Sequence, residues 1–395
     1  MNKLLQINVT ANWGSTGKIA EAIGNSAISA GWESYIAYGR LANKSSSSLI
    51  RIGTKLDTYV HYAYDRLFDM EGRSSVRATK ALIRRIEAIS PDVVQLHNIH
   101  DHYLNYRILF EYLNQTNIKV VWTFHDCWAF TGHCYHFVQM DCMKWKTQCE
   151  NCVQRHRFAD RSRDNYILKK SLFTSCENLV IVPCSEWMGD FVKESFFKDK
   201  PIYVIHNGID INTFKVLPER KKDNRKFRVI AVSNVWTQSK GLTDLIKLRE
   251  LLDKDYEITI VGLSDSQIQQ LPTGIHGIKR TQNVHELVQL YNDSDVLVNP
   301  TYADTFPTVN LEALACGIPV ITYRTGGSLE AVDEKTGIVV EQGDVDALAH
   351  AIVGLKNNPL RRETCRARAE ECFDKDKCFN KYINLYDSIL NEFNE

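Results

Sequence analysis

The sequence predicts an α/β fold built from two doubly wound domains in series, and three features lead there. Short runs of β-forming residues alternate with helical patterns almost throughout, as parallel sheets with crossover helices require. A polar, charged stretch, VLPERKKDNRK at 216–226, breaks that rhythm, which then restarts. The chain has 395 residues, 44% of them hydrophobic, which is too long for one ordinary core and enough for two.

In the first half, strands are expected at 4–9, 35–39, 93–96, 120–124, 179–183 and 203–206. Helices fill the gaps, most clearly at 17–30 and 76–89. In the second half, strands at 227–232, 257–261, 277–279, 296–299, 320–323 and 338–340 alternate with helices that follow Lys240, Val284, Pro307, Val345 and Leu360. The expected division is a first domain at 1–210, a linker at 211–226, a second domain at 227–378 and a closing helix at 379–395. Ligands of open α/β sheets bind beyond the carboxyl ends of the strands, so two such domains define an interdomain cleft.

Composition excludes several classes. Lys plus Arg and Asp plus Glu are each 48, so a chain of zero formal charge advertises no nucleic acid and no polyanion as partner. The start, MNKLLQINVTANWG, reads as a first strand rather than a signal peptide. No apolar run approaches the roughly 18 residues of a membrane span. A cytoplasmic protein is expected, with its eleven cysteines reduced, metal-bound or buried as small hydrophobes.

The stretch 300–317, PTYADTFPTVNLEALACG, carries Asp304 and Glu312 on either side of a helix start. Pro307 fits the first helical position, and Gly317 with Pro319 supplies the stop, leaving a helix of about ten residues. Val309, Leu311, Ala313, Leu314 and Ala315 predict burial on nearly every side. A carboxylate at 312 is then expensive unless paired. The N–H groups of Thr308, Val309 and Asn310 make the same helix end attractive to an anion, and a phosphate-bearing ligand fits both facts. The bland alternative is an acid that offsets the helix dipole.

Other strand-to-helix junctions carry weaker signals. In VTANWGSTG (9–17), Gly14 and Gly17 allow close backbone approach, and Ser15 and Thr16 can cap the helix or donate to phosphate or sugar oxygens. An ordinary capped turn explains the same residues. His125, in TFHD, sits at a strand end where it can meet a sugar hydroxyl or phosphate, with His97 and His100 at the corresponding place one strand earlier. Each alone is as well read as a structural histidine. Lys240 in VSNVWTQSKG opposes a helix dipole unless an anion lies nearby; the alternative is a lysine reaching for solvent. Gly326 and Gly327, followed by Glu330, form another glycine turn suited to close approach.

Within CYHFVQMDCMKWKTQCENC, part of an insertion at 127–152, Cys134, Cys142, Cys149 and Cys152 form a C-x7-C-x6-C-x2-C series. Four thiols so close together in a cytosolic chain favour a structural zinc over disulfides, with reduced thiols or an iron–sulfur cluster as the alternatives. A closed four-thiolate site has no catalytic role. Cys127, Cys176, Cys184, Cys316, Cys365, Cys372 and Cys378 read as scattered structural residues.

Together these motifs resemble glycosyltransferase family 4, the retaining transferases of the GT-B fold, over nearly the whole chain. ADTFPTVNLEALACGIPVITYRTGG resembles the family's E-x7-E donor signature with its following Gly-Gly-x-x-Glu turn. The resemblance implies a nucleotide ribose for Glu312 and the donor sugar for Asp304, although the family usually has the longer Glu at the first position. It gives the diphosphate and sugar to the backbone of the helix start, Thr305, Phe306, Pro307, Thr308, Val309 and Asn310. Lys240 matches the family's phosphate-binding Lys before Gly, in a motif whose Arg position holds Asn234 here; Arg280 is a substitute for that charge or a wall of the base pocket. Gly14, Ser15, Thr16, Gly17 and His125 match the elements of the first domain that approach the donor. The segment HDCWAFTGHCYHFVQMDCMKWKTQCENC further resembles bacterial polysaccharide transferases of the colanic-acid and O-antigen type, and that resemblance implies that the closing helix at 379–395 crosses back to the first domain.

The implied activity is retaining transfer from a nucleotide sugar, UDP preferred and GDP an alternative, to a glycan or lipid-linked oligosaccharide. No catalytic cofactor is expected, nor an enzymic nucleophile. A peripheral contact with the inner membrane surface is expected through Trp13 or YVHYAYDRLF. Competing readings are a nucleotide-sugar 2-epimerase or phosphorylase on the same scaffold, which would turn over without an acceptor or by phosphorolysis, and a non-catalytic scaffold, which would bind no nucleotide.

Overall fold

Six parallel strands build each of two sheets, one in each of two units. The computed structural model describes residues 1–154, 159–218 and 226–391. The first unit comprises Met1–Ile205 and Phe379–Glu395, the second His206–Cys378. Part of the expected linker, 219–225, and the last residues of the expected closing helix, 392–395, lie outside the described residues; 211–218 belong to the second unit.

In the first unit the strands are β1 (Lys3–Asn8), β2 (Glu33–Tyr38), β3 (Ser48–Arg51), β4 (Val93–Leu96), β5 (Lys119–Phe124) and β6 (Leu179–Pro183), in the spatial order β3-β2-β1-β4-β5-β6. The chain works outward to β3, returns to the middle and works outward to β6, so the direction of winding reverses between β1 and β4. Side chains of period two separate the faces. Leu5, Val94, Val120 and Trp122 point into a core with Leu82, Phe110, Phe173 and Val192 of the crossover helices. Leu4, Val93, Val121, Val180 and Val182 point the other way, where they meet Ile19, Ile23 and Ala27 of helix Gly14–Ser29 and the last helix, Lys375–Asn391. That last helix contributes Phe379, Tyr382, Ile383, Tyr386 and Ile389, spaced three and four apart as one helical stripe.

The second unit repeats the plan with β7 (Phe227–Val232), β8 (Tyr256–Val261), β9 (Ile275–Ile278), β10 (Val296–Asn299), β11 (Val320–Tyr323) and β12 (Gly337–Val340), ordered β12-β11-β10-β7-β8-β9. Here winding reverses between β7 and β10. Residues before β7 join this unit through Ile209, whose N–H donates to Phe373 O at 2.7 Å, and through Asp210, which accepts from Lys375 Nζ at 2.7 Å. No helix among the described residues is long and apolar enough to cross a membrane.

Two elements differ from expectation. The segment 203–206 runs beside β6 through Tyr203 N to Ile181 O and Ile205 N to Pro183 O, but forms only an isolated bridge at Ile202. Pro183 has no N–H to return the next bond, so the ladder stops. In the other direction, β3 was not anticipated: its sequence, SLIR, follows a serine run, and as an edge strand with mostly exposed side chains it shows no hydrophobic alternation.

Because the last helix completes one face of the first sheet, Tyr386→Ala should destabilise the first unit by about 3 kcal/mol, the usual scale for truncating a large buried side chain. Urea unfolding followed separately in the two units should show the first transition moved and the second unmoved.

Candidate active site

The reversal in the second sheet sets β7 beside β10, and the loops that leave their carboxyl ends are stitched together. Tyr302 N donates to Ser239 O at 2.8 Å. Gly241 is left-handed (φ 76), and a Cβ there would lie 2.1 Å from Pro300 O, so the residue after Lys240 has to be glycine. Beneath both loops the hydroxyls of Tyr302 and Tyr323 each donate to Asp244 Oδ2 at 2.7 Å.

On that support, Lys240 Nζ donates to Asp304 Oδ2 at 2.7 Å and to Ala303 O at 3.4 Å. Two candidates identified separately in the sequence thus form an ion pair, and both side chains keep some exposure, 31% and 21%. Lys240 does not start the following helix: it ends a short 3-10 turn, Gln238–Lys240, and Gly241 is the N-cap of helix Leu242–Leu251. Asp304 answers its charge.

After Asp304 the chain enters helix Thr308–Ala315, eight residues against the ten expected. Pro307 is its N-cap (ψ 117) rather than its first helical residue, because its carbonyl, turned out of helical geometry, accepts the first bond from Asn310 N at 3.3 Å. No side chain caps this end. Burial is also less complete than the apolar run implied: Asn310, Leu311, Ala313, Leu314 and Ala315 are buried, but Thr308, Val309 and Glu312 share a half-open face. Glu312 Oε2 accepts a hydrogen bond from Tyr291 OH at 2.8 Å. Burial and the Glu312 carboxylate hold the Tyr291 phenol well above its usual pKa, so it stays a donor. The open stripe therefore presents uncapped N–H groups at one end and an aimed carboxylate one turn later.

Other second-unit candidates divide by burial. Asn310 is committed to the scaffold: its Oδ1 accepts from Asn299 Nδ2 at 2.9 Å and its Nδ2 donates to Ser328 O at 3.2 Å. Thr305 and Pro307 are buried, and Phe306 packs its ring on His206, centroids 4.8 Å apart. Gly326 and Gly327 are buried in the 3-10 helix Gly326–Ala331, and Glu330 accepts from His206 Nε2 at 2.8 Å. Asn234 is exposed in the loop after β7. Arg280, also exposed, follows the edge strand β9, three strands from β10 or roughly 14 Å across the sheet. Asp304 follows β10, three strands away from β9, and Lys240 follows β7, two strands away.

In the first unit the reversal sets β1 beside β4. Helix Gly14–Ser29 begins earlier than predicted, with Trp13 as an N-cap that makes no side-chain bond; Ser15 and Thr16 lie inside the first turn and do not cap it. Thr16 Oγ1 instead accepts from Asn8 Nδ2 at 3.3 Å, and Ser15 is exposed. The glycines serve different ends. A Cβ on Gly17 would lie 2.6 Å from Thr10 Oγ1, so Gly17 packs on its own loop, whereas Gly14 (φ 67) has open space around it.

The histidines are linked. Gln6 Nε2 donates to Ala20 O at 2.8 Å, which turns Gln6 Oε1 toward His97 Nε2 at 3.0 Å. His97 therefore carries its proton on Nε2, and its bare Nδ1 accepts from His125 Nε2–H at 3.0 Å. Burial keeps both rings neutral: His97 titrates well below the usual range and His125 is pulled down to about 4. His100 behaves oppositely. Burial lowers its pKa, but Asp126, whose Oδ2 lies 2.9 Å from His100 Nε2, outweighs it and raises the pKa. His100 Nδ1 is buried with no hydrogen-bond partner.

Sequence reading missed several partners. Glu71 accepts from Trp128 Nε1 at 2.8 Å and Tyr135 OH at 2.6 Å beside His100. Lys169, which reads as solvent-facing, is buried with Nζ 2.8 Å from Trp128 O and 3.4 Å from the centre of the Trp128 ring; burial pulls its pKa down to about 7. Cys134, Cys142, Cys149 and Cys152 line one cavity of about 260 Å³ together with Trp145 and Phe137, and every cysteine of the chain is free of disulfides.

Models of two families match in tandem: "Glycosyltransferase Family 4" over residues 25–213 and "Glycosyl transferases group 1" over 226–358. The chain belongs to glycosyltransferase family 4. Among curated proteins this glycosyltransferase is 23% identical to the putative colanic acid biosynthesis glycosyl transferase WcaC of Escherichia coli, over 98% of its own length and 100% of the relative's. Among solved structures it matches the sucrose-phosphate synthase of Thermosynechococcus elongatus at a TM-score of 0.74 with 17% identity, over 99% of this chain and 100% of that one. It matches Anabaena HepE, solved in complex with UDP, at 0.65 with 14% identity, over 98% and 100%. These likenesses assign the fold, the pair of Rossmann-like domains of GT-B glycosyltransferases.

The histidine relay has a signature in stability. Between pH 6.5 and about 4 an unfolded chain carries protons at position 125 that the folded chain does not, so stability falls as pH is lowered through that window. Replacing His125 by Gln should flatten this slope by close to one proton in urea midpoints measured for the first unit from pH 7 to 4.5. An unchanged slope would show that the folded ring titrates normally.

Proposed function

We propose that this glycosyltransferase moves a sugar from a nucleotide-sugar donor, UDP in preference to GDP, to a glycan or lipid-linked oligosaccharide in cell-surface polysaccharide biosynthesis, with retention at the anomeric carbon and without a catalytic metal. The observation that carries this reading is the Lys240–Asp304 pair held beside an uncapped helix end and the Glu312 carboxylate. Leaving-group departure puts charge on the diphosphate. Lys240 and the N–H groups of Thr308 and Val309 are donors aimed at such a charge, already in place before it develops. Glu312, oriented by Tyr291, accepts from ribose hydroxyls, and Asp304 from a hydroxyl of the donor sugar. Asn234 and Arg280 are the remaining donor contacts, Arg280 on the base side because of its distance from the pair.

In the first unit, the glycine loop at 14–17 contributes backbone at Gly14, and the neutral His125 ring is the side chain assigned to the donor sugar or phosphate. A UDP donor is supported by the nucleotide bound to Anabaena HepE, and polysaccharide assembly by the stated role of the Escherichia coli relative. Peripheral binding to the inner membrane face is supported by helix Lys55–Phe68, which exposes Leu56, Tyr59, Val60 and Leu67 beside Lys55 and Arg66.

Glu312→Ala and Lys240→Ala should each lower transfer by about a hundredfold or more while leaving the unfolding transitions in place. Wild-type rates in both would sink the assignment. EDTA, under conditions that do not strip a metal from the cysteine cluster, should leave transfer unchanged, and in a thermal-shift panel of nucleotide sugars one donor should raise the midpoint above the others.

A further inference from the structure

We propose that Cys134, Cys142, Cys149 and Cys152 hold one zinc ion, and that His133, itself anchored by Asp69, donates a hydrogen bond to the Cys152 thiolate from outside the coordination shell. All four thiols line a single cavity; Cys134 and Cys152 are grouped there with His133, and Cys142 and Cys149 form more of its wall. The Cys134 and Cys152 sulfurs stand 3.7 Å apart. Two thiolates on one tetrahedral zinc, each about 2.3 Å from the metal, stand about 3.8 Å apart, so this pair is already at the spacing that a single ion requires.

His133 Nε2 lies 3.4 Å from Cys152 Sγ, and His133 Nδ1 lies 3.2 Å from Asp69 Oδ1. A ring nitrogen of His133 and the sulfurs of Cys134 and Cys152 all lie within 4.8 Å of one another, so Cys152 is where the ring meets the thiol group. Asp69 is fixed in turn: its Oδ2 accepts from Arg161 N at 2.6 Å and its carbonyl from Asn165 Nδ2 at 3.1 Å. Backbone N–H groups of Gly132 and Gln154 also bond Cys149 and Cys152. Donors of this kind offset the excess negative charge of a zinc ion with four thiolates and fix the ligands in place. Loading releases the thiol protons to solvent and leaves the metal two-plus throughout, so no oxidant or reductant takes part.

The core holds the insertion through Phe130, Phe137 and Trp145, and the ion would tie down its outer part. Cys142, Cys149 and Cys152 are only partly buried, and Met143 and Val153 beside them are exposed. Cys134 belongs to the segment that follows β5 and carries His125, Asp126 and Trp128. Through that link the metal would hold the loop of the first-unit site at its far end.

The test begins with the full-length protein, purified without chelators or a metal-affinity tag. Elemental analysis should find one zinc per chain; a folded protein with no metal, or with iron, overturns the proposal. Cobalt exchanged into the wild-type protein should give a tetrahedral visible spectrum with the sulfur-to-cobalt charge-transfer intensity of four thiolates. Three-thiolate intensity overturns the ligand set, and this result does not depend on any variant folding. Cys142→Ser should lose stoichiometric zinc. His133→Gln should keep it but release it to a competing chelator on the order of tenfold faster. A Cys142→Ser protein that stays fully loaded while His133→Gln is empty would make His133 a ligand and overturn the arrangement.

Discussion

In a parallel sheet covered on both faces, polar chemistry is confined to the ends of the strands. In both units the central strands are buried along their length, β4 and β10 completely, so each group that meets a substrate must sit in a loop beyond them. Loops are poor platforms for fixed charges, and the second unit answers this by lacing two of them together. The Tyr302–Ser239 bond, the left-handed Gly241 under Pro300 and the two tyrosines on Asp244 hold Lys240 and Asp304 as one rigid pair. Because winding reverses between β7 and β10, the connecting helices diverge there and leave the pair room above the sheet.

The first unit meets the same constraint with polar residues inside the sheet itself. Gln6, Gln95, His97 and Thr123 are buried on adjoining strands, where an unsatisfied group would be costly. They satisfy one another and reach outward in two directions. Gln6 and His97 lead to His125 at the open edge. Gln95 and Thr123 lead to the hydroxyls of Tyr386 and Tyr382 on the last helix. A change at the C-terminal end of the chain is thereby connected, through hydrogen bonds and not only through packing, to the strands that aim His125.

The fold was readable because both halves advertise it twice over, in strand composition and in the glycine-marked turns that follow the strands. Strands such as 93–96, 227–232 and 320–323 needed no correction. What failed were features fixed by a single atom or by distant partners. Pro183 ends a ladder because it lacks one hydrogen, and nothing in the run at 203–206 records that. Glu312 looked like an isolated acid on an apolar helix, since its partner Tyr291 is a tyrosine on another helix with no signal of its own. Lys240 and Asp304 were each legible as donor-site residues through local motif, but their mutual bond depends on the adjacency of β7 and β10, which only the sheet order supplies. His133 sits next to Cys134 in plain view and was passed over, because the cysteine spacing already completed a four-ligand set.

The return of the chain to its first unit also sets an order of events on the ribosome. The strands of the first sheet are made first, yet the face that carries Val121, Val180 and Val182 lacks part of its cover until Phe379, Tyr382 and Tyr386 have been translated. Between the two lies the whole second unit, His206–Cys378, which at ordinary elongation rates takes roughly 10 to 35 s to make. The second unit can close while the first still shows an apolar face. The domain begun first is therefore finished last, and for that interval the nascent chain is a natural client for a chaperone.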